Sequence, residues 1–210
     1  MEIYSAENIR NIVLLGHGGV GKTTIAEQMA FMSKATTRVG TVADKNTISD
    51  FDPEETKRGF SINTSLIPIE WSSSFIGHKI NVLDTPGYFD FAGEVDEAIR
   101  AAGGAVIVVS AKAGVEVGTE LAWEKAEKAK LPRMIFVNGM DEDGADLDKV
   151  LEDLKEKFPS GTGSYTYPDG SVYEGQWRNG MRHGLGVYIT KEGYHYEGQF
   201  VMDVPSGQGV

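Results

Sequence analysis

Gly16-His17-Gly18-Gly19-Val20-Gly21-Lys22-Thr23 follows directly on the apolar run Ile12-Val13-Leu14-Leu15 and fits the pattern G-x-x-x-x-G-K-[ST]. Glycine at positions 16, 18, 19 and 21 lets successive backbone N–H groups turn inward around phosphate oxygens. A helix starting after the loop adds its positive amino end. Lys22 then reaches the β- and γ-phosphates, the Thr23 hydroxyl is a Mg²⁺ ligand, and Thr24 belongs to the same binding stretch. The His17 and Val20 backbones join the cradle, and the His17 side chain has no required role. A ligand-free glycine turn is the plainer alternative. A strand before, a helix after and Lys-Thr in place argue against it, so a nucleoside triphosphate site is expected.

Working outward, Lys79–Leu83, Val106–Val109 and Met134–Val137 read, like Ile12–Leu15, as short strands buried on both faces. Amphipathic stretches at Thr119–Lys130 and Ala145–Phe158 lie between or after them. In the latter Leu147, Val150, Leu151, Leu154 and Phe158 share one helical face, which leaves its acids on a solvated outer face. Strands alternating with helices predict an α/β fold with a mostly parallel sheet, and such sheets bind ligands at the carboxyl ends of their strands. The 210 residues suffice for one ordinary domain with an appendage. Acids exceed bases by 31 to 20, a net charge of −11, which argues against DNA wrapping, and residues 160–210 hold only Arg178, Arg182 and Lys191 against five acids, which argues against a membrane surface. Without cysteine the chain has neither a disulfide framework nor a thiolate metal site. No secretory signal is visible at the start, so a soluble cytoplasmic protein is expected.

Three further segments narrow the nucleotide. Asn81-Val82-Leu83-Asp84-Thr85-Pro86-Gly87 ends a strand with Asp-x-x-Gly. Asp84 can hold Mg²⁺ through a water and the Gly87 N–H can reach a γ-phosphate, so this turn can sense the third phosphate. Arg58-Gly59-Phe60-Ser61-Ile62 offers the Ser61 hydroxyl as a second Mg²⁺ ligand. Asn138-Gly139-Met140-Asp141 follows another strand. There Asp141 can accept from guanine N1–H and N2, a donor pair adenine lacks, with Asn138 and Met140 beside it.

Together these segments resemble the G domain of a translational GTPase of the elongation factor G type, over roughly residues 7–158. The resemblance also rests on Asp52-Pro53-Glu54-Glu55, Val115-Glu116-Val117-Gly118-Thr119-Glu120 and Leu131-Pro132-Arg133. It implies a P-loop NTPase fold, GTP/GDP and Mg²⁺ as ligands, switch loops around Ser61 and Gly87, and the ribosome as partner. Hydrolysis to GDP and phosphate would use Lys22 and the Gly87 amide.

Three features depart from that family's pattern. Tyr88 stands where the family has a histidine that positions the attacking water; it is the candidate for that role, with aromatic packing beside Phe89 and Phe91 as its alternative. Gly139 replaces the lysine of Asn-Lys-x-Asp, which predicts weaker nucleotide binding by on the order of 1–3 kcal/mol. The sheet is expected to be incomplete at its C-terminal end, without the sixth strand and following helix. The resemblance therefore implies a guanine-nucleotide switch that hydrolyses GTP slowly if at all.

The grammar changes near Phe158-Pro159-Ser160. Residues 160–210 hold 11 of the 26 glycines and 6 of the 8 tyrosines, and they repeat with a 23-residue period. Gly161-x-Gly163 recurs as Gly184-x-Gly186 and Gly207-x-Gly209, and Tyr173-Glu174-Gly175-Gln176-Trp177 as Tyr196-Glu197-Gly198-Gln199-Phe200. Asp169-Gly170 and Asn179-Gly180 are hairpin-turn dipeptides, so stacked β-hairpins are expected. The segment resembles MORN repeats, about two and a partial third. The chain is thus read as a G domain over 1–159 and an all-β repeat segment over 160–210. The alternative is a MORN scaffold binding a protein partner, with a degenerate nucleotide fold.

Overall fold

The computed structural model describes residues 4–73, 76–158, 160–167, 169–178 and 181–207. Asn179-Gly180 and Gly209 of the sequence reading lie outside the described residues. Two compact units divide between Leu147 and Asp148. The boundary expected from sequence falls at 159/160.

In the first unit Ile9–Leu15 (β1), Ser65–Ser73 (β2), Ile76–Asp84 (β3), Gly104–Ser110 (β4) and Arg133–Asn138 (β5) form a sheet of order β2-β3-β1-β4-β5. β1 pairs in parallel with β3 and β4, and β4 with β5, while β2 is antiparallel to β3. The four strands read from sequence all lie within β1, β3, β4 and β5, and β2 is an addition to them. Its alternation is obscured by Pro68 and by Leu66 and Trp71 pointing to solvent.

Helices Lys22–Met32 (α1), Ala92–Ala101 (α3) and Val117–Lys128 (α4) cover the sheet, and the short Pro53–Arg58 (α2) sits in the long loop between α1 and β2. Ala26 and Ala30 of α1 pack on Leu14, Ile67, Ile69 and Val82, with Ile25 and Met29 closing the layer. Alternation along β1 sends Val13 and Leu15 to the opposite face, where they are as buried as Leu14. Each fully buried Val, Leu or Ile of this core contributes about 1.5–3 kcal/mol. This doubly wound arrangement collects the carboxyl ends of β1, β3, β4 and β5 along one edge. Register makes the result concrete: Leu14 lies opposite Asp84, Leu15 opposite Ile107, and Ser110 opposite Asn138.

The second unit contains helix Leu147–Lys157 (α5), apart from its first residue, and a sheet of five antiparallel strands. These are Ser160–Thr166 (β6), Val172–Arg178 (β7), Met181–Ile189 (β8), His195–Val201 (β9) and Val204–Ser206 (β10), in the order β10-β9-β8-β7-β6. Val150 and Leu154 of the expected helical stripe are buried, and Leu147 is exposed. Tyr173 and Phe200 are the buried centre of the sheet, their rings 5.0 Å apart.

The 23-residue period of the sequence is also a period of geometry. Tyr173 donates to the Gln176 carbonyl at 2.9 Å, and Tyr196 donates to that of Gln199 at 3.1 Å. Tyr173 meets Trp177 edge-on at 4.9 Å, and Tyr196 meets Phe200 at 5.1 Å. At Asp169-Gly170 the chain turns with Gly170 at φ +87°, and the Asp169 carboxylate accepts from Ser171 N. Among the described residues no helix is long and apolar enough to cross a membrane.

Candidate functional site

The loop between β1 and α1 is shaped by backbone that only glycine adopts cheaply. Gly16, Gly19 and Gly21 have φ of +138°, +82° and +92°. A Cβ at Gly16 would meet the Val108 carbonyl at 2.4 Å, and one at Gly21 would meet Asn138 Nδ2 at 2.3 Å. β4 and β5 therefore press on the loop at Gly16 and Gly21, where glycine is a steric requirement. Lys22 is folded back beneath it, its ammonium donating to the carbonyls of Gly16 at 3.0 Å and His17 at 2.8 Å.

Asp84 arrives from the end of β3. Thr23 Oγ1 donates to Asp84 Oδ2 at 2.8 Å and lies 3.2 Å from Ser61 Oγ. Ser61 in turn donates to Asp50 Oδ1 at 2.7 Å. The other Asp84 oxygen, Oδ1, is buried with no hydrogen-bond partner. A buried carboxylate oxygen without a donor fits a place where a cation or its water binds. Thr23, Ser61 and Asp84 thus stand together as two hydroxyls and one carboxylate, a donor set of the kind that suits Mg²⁺. Among the described residues no three His, Cys, Asp or Glu side chains form a further metal-binding group.

Charge at this point is strongly perturbed. Burial lowers the Lys22 ammonium to about 8, opposed by the nearby Asp84. Burial raises Asp84 to about 6; the Thr23 hydrogen bond and Lys22 pull it down, and Asp50 and Glu27 push it up. Each charge is short of solvent and incompletely compensated, the condition under which an anionic, cation-bearing ligand gains most.

The cavity between loop, β3 end and Ser61 has a volume of about 270 Å³ and is lined by Gly19, Lys22, Thr23, Ser61, Gly87 and Tyr88 among others. Gly18, Gly21 and Thr24 also face it, as do Val42, Phe60 and Thr85, which the sequence reading did not single out. Gly87 has no room for a side chain: its Cβ would lie 2.5 Å from Lys22 Nζ and 2.6 Å from Gly18 Cα. The Tyr88 ring leans on Phe60 at 4.8 Å, and a Cβ on Gly18 would touch it at 3.1 Å. Of the aromatic neighbours named from sequence, Phe91 is reached through Phe60, 6.4 Å away, and Phe89 stands against His17 at 6.0 Å. Val20 is buried, and its carbonyl accepts from Asn138 Nδ2 at 2.9 Å, tying the β5 end to the loop. Met140 and Asp141 are exposed and stand outside the cavity wall.

His17 has a second neighbour in the turn that starts α4. Its Nε2 is 3.6 Å from Glu116 Oε1, and a Cβ on Gly118 would lie 2.6 Å from His17 Cα.

Residues 7–205 match the family described as the elongation factor Tu GTP binding domain. The chain belongs to that family. It is similar to ribosome-releasing factor 2, mitochondrial, of Drosophila ananassae, 44% identical over 165 residues, 79% of this chain and 22% of the relative. Elongation factor G 2 of Streptomyces coelicolor is 42% identical over 150 residues, 71% of this chain and 21% of the relative. A crystal structure of a protein from Thermus thermophilus superposes with a TM-score of 0.67 at 35% identity, covering 92% of this chain and 28% of that one. The chain therefore spans about a fifth of the length of these curated relatives. This is a GTP-binding domain of the translational type, similar to those of elongation factor G. The family match runs on to residue 205, beyond the expected boundary at 159/160 and through the antiparallel sheet.

Proposed function

We propose that this GTP-binding domain is a guanine-nucleotide switch that binds GTP and GDP with Mg²⁺ and hydrolyses GTP slowly if at all. The convergence of Lys22, Thr23 and Ser61 on one cavity, with Asp84 bonded to Thr23 and one of its oxygens unpartnered, is the observation that carries the reading. Residues 1–159 form the domain, acting in the cytoplasm with the ribosome as partner by analogy with elongation factor G.

Each residue has a defined task. The loop from Gly16 to Gly21 presents its N–H groups to the β- and γ-phosphates, and Thr24 with the α1 amino end extends the positive field. Lys22 places its charge between the same oxygens. Thr23 and Ser61 would hold Mg²⁺ directly, with Asp84 holding it through a water. The ion would supply charge neutralisation on the β- and γ-phosphates. The Gly87 N–H stabilises charge developing on the γ-phosphate. Tyr88 orients water through its hydroxyl without taking its proton, which is why turnover is slow. Asn138, Met140 and Asp141 form the guanine side, with Asp141 accepting from N1–H and N2.

The test is titration with fluorescent GDP and GTP in Mg²⁺, competed with unlabelled GTP and ATP. Saturable binding displaced by GTP and not by ATP is expected. Absence of binding at about 50 μM, a free energy near −6 kcal/mol, would remove the reading.

The second sheet favours a second reading, because the repeated Tyr–Gln bond and ring pair give it a regular frame of its own. Residues 160–210 would then be MORN repeats serving as a protein-binding scaffold beside a non-hydrolysing domain. Capture of one defined partner by the wild type and by Lys22→Ala alike would favour it.

A further inference from the structure

A fully buried carboxylate that phosphate binding does not use stands one turn beyond Thr23. Glu27 lies on α1 at i+4 from Thr23, so both project from the same side of the helix. It is 0% exposed, and both oxygens are engaged by the loop that leads to Ser61. Oε2 accepts from Gly40 N at 3.2 Å. Oε1 accepts from Ile48 N at 2.6 Å and from Ser49 N and Oγ, each at 3.3 Å. One side chain therefore closes the segment 40–49 at both ends.

The fastening continues toward the site in named bonds. The Ser49 carbonyl accepts from Ser65 Oγ on β2. The next residue, Asp50, is buried and accepts from Thr47 Oγ1 at 3.1 Å and from Ser61 Oγ at 2.7 Å. Ser61 Oγ is the hydroxyl 3.2 Å from Thr23. A carboxylate suits this post because its four partners are all donors and its charge strengthens each bond. An amide would set its NH₂ against a backbone N–H at one end of the segment.

We infer that Glu27 is a positioning residue for Ser61: by fixing Gly40, Ile48 and Ser49 to α1 it sets Asp50, which aims the Ser61 hydroxyl at Thr23 and the Mg²⁺–triphosphate site. The inference rests on the nucleotide function proposed above. It requires that loss of Glu27 be felt by the triphosphate with Mg²⁺ and not by the diphosphate cradle, which the glycines and Lys22 supply.

Three readouts test it in the full chain. Glu27→Gln weakens binding of a fluorescent GTP analogue in Mg²⁺ by about tenfold and leaves GDP within about twofold. Tryptic cleavage after Lys45, an exposed residue within the fastened segment, accelerates. Adding Glu27→Gln to Ser61→Ala costs no further GTP affinity, because the two act in one chain of contacts. Should Glu27→Gln fail to fold, Ser49→Ala removes one of the four bonds and gives the same pattern at smaller amplitude. Equal loss of GTP and GDP binding, or additive losses in the double variant, makes Glu27 a structural anchor alone and overturns the inference. If the wild type binds neither nucleotide, the proposed function fails by itself. Cleavage at Lys45 then tests the fastening by itself: an unchanged rate in Glu27→Gln overturns it, and a faster rate supports the attachment of segment 40–49 to α1.

Discussion

At the scale of single residues, Lys22 is the group whose chemistry the fold alters most consequentially. In the proposed role its charged form grips phosphate, and burial brings it to about 8. Nucleotide affinity is therefore expected to be level up to pH 8 and then to fall about tenfold per pH unit. Fluorescent GDP titrations between pH 7 and 9.5 check this; a level profile would show that Lys22 contributes no charge. The stability of the unliganded protein moves the other way. Between pH 8 and 10.5 the unfolded chain holds a proton that folded Lys22 has lost, so stability rises with pH there. Asp84, raised to about 6, is protonated in the fold before it is in the unfolded chain, so its contribution declines as pH rises from about 4 to 6.

Two glycines respond differently to substitution. Gly118→Ala drives a Cβ to 2.6 Å from His17 Cα, which must displace the phosphate loop. A cost of about 1–3 kcal/mol in both melting stability and GDP affinity is expected. Gly139→Lys supplies the lysine that the family pattern has, and tighter GDP binding is the expected result. The structure adds an opposing term: Gly139 has φ +76°, and its Cβ would lie 2.9 Å from Glu142 Oε1. Left-handed backbone costs a non-glycine residue about 1–2 kcal/mol, so the same variant should melt lower even as it binds better. Titration and melting of one preparation separate the two effects.

At the scale of elements, the short helix α2 shows how local signals and burial cooperate. Asp52 caps it by accepting from Glu54 N at 2.7 Å, Pro53 starts it, and Gly59 ends it at φ +75°. Glu55 closes a capping box by accepting from Asp52 N at 2.9 Å. It is also fully buried, and its other oxygen takes the N–H groups of Ile62 and Asn63 at 2.9 and 2.8 Å. The element thus orders the backbone on both sides of Ser61. Asp52→Ala should cost about 1 kcal/mol, the worth of an N-cap. Glu55→Ala should cost more, about 2–4 kcal/mol, because it strands several buried donors at once. Denaturant melts of both variants check the order, and equal losses would reduce Glu55 to its capping role.

At the scale of the whole molecule, the chain carries two compact units with different interiors. The first is aliphatic and sheet-centred, whereas the second depends on Tyr173 and Phe200 crossing edge to face. Every residue assigned to nucleotide binding belongs to the first. Phe200→Ala should therefore destabilise the second unit by about 3–5 kcal/mol and leave GDP affinity unchanged. Ring-current shifts or near-ultraviolet dichroism report the first effect, and nucleotide titration the second. A parallel loss of affinity would mean that the antiparallel sheet supports the site.

Much of this protein was legible in its residues because the signals were local. The phosphate loop declared itself through a fixed spacing of Gly, Lys and Thr, and the strands of the parallel sheet through continuous apolar runs. The 23-residue period announced itself before its Tyr–Gln bonds and ring pairs could be seen. What the sequence could not express were interactions across long separations whose members look ordinary alone. Nothing local to Glu27 or Glu55 marks either as an interior residue, yet both are fully buried, because a charge can be buried when enough N–H groups converge on it. Nor could the sequence register the antiparallel β2, or bring Asp50 to Ser61 and Gly118 against His17. Sequence alone determined the nucleotide-binding grammar and the order of elements, since backbone preference and apolar periodicity act within a few residues. Tertiary structure alone decided which carboxylates hold the loop and which hydroxyls meet, since those bonds exist only once distant segments share a desolvated interior.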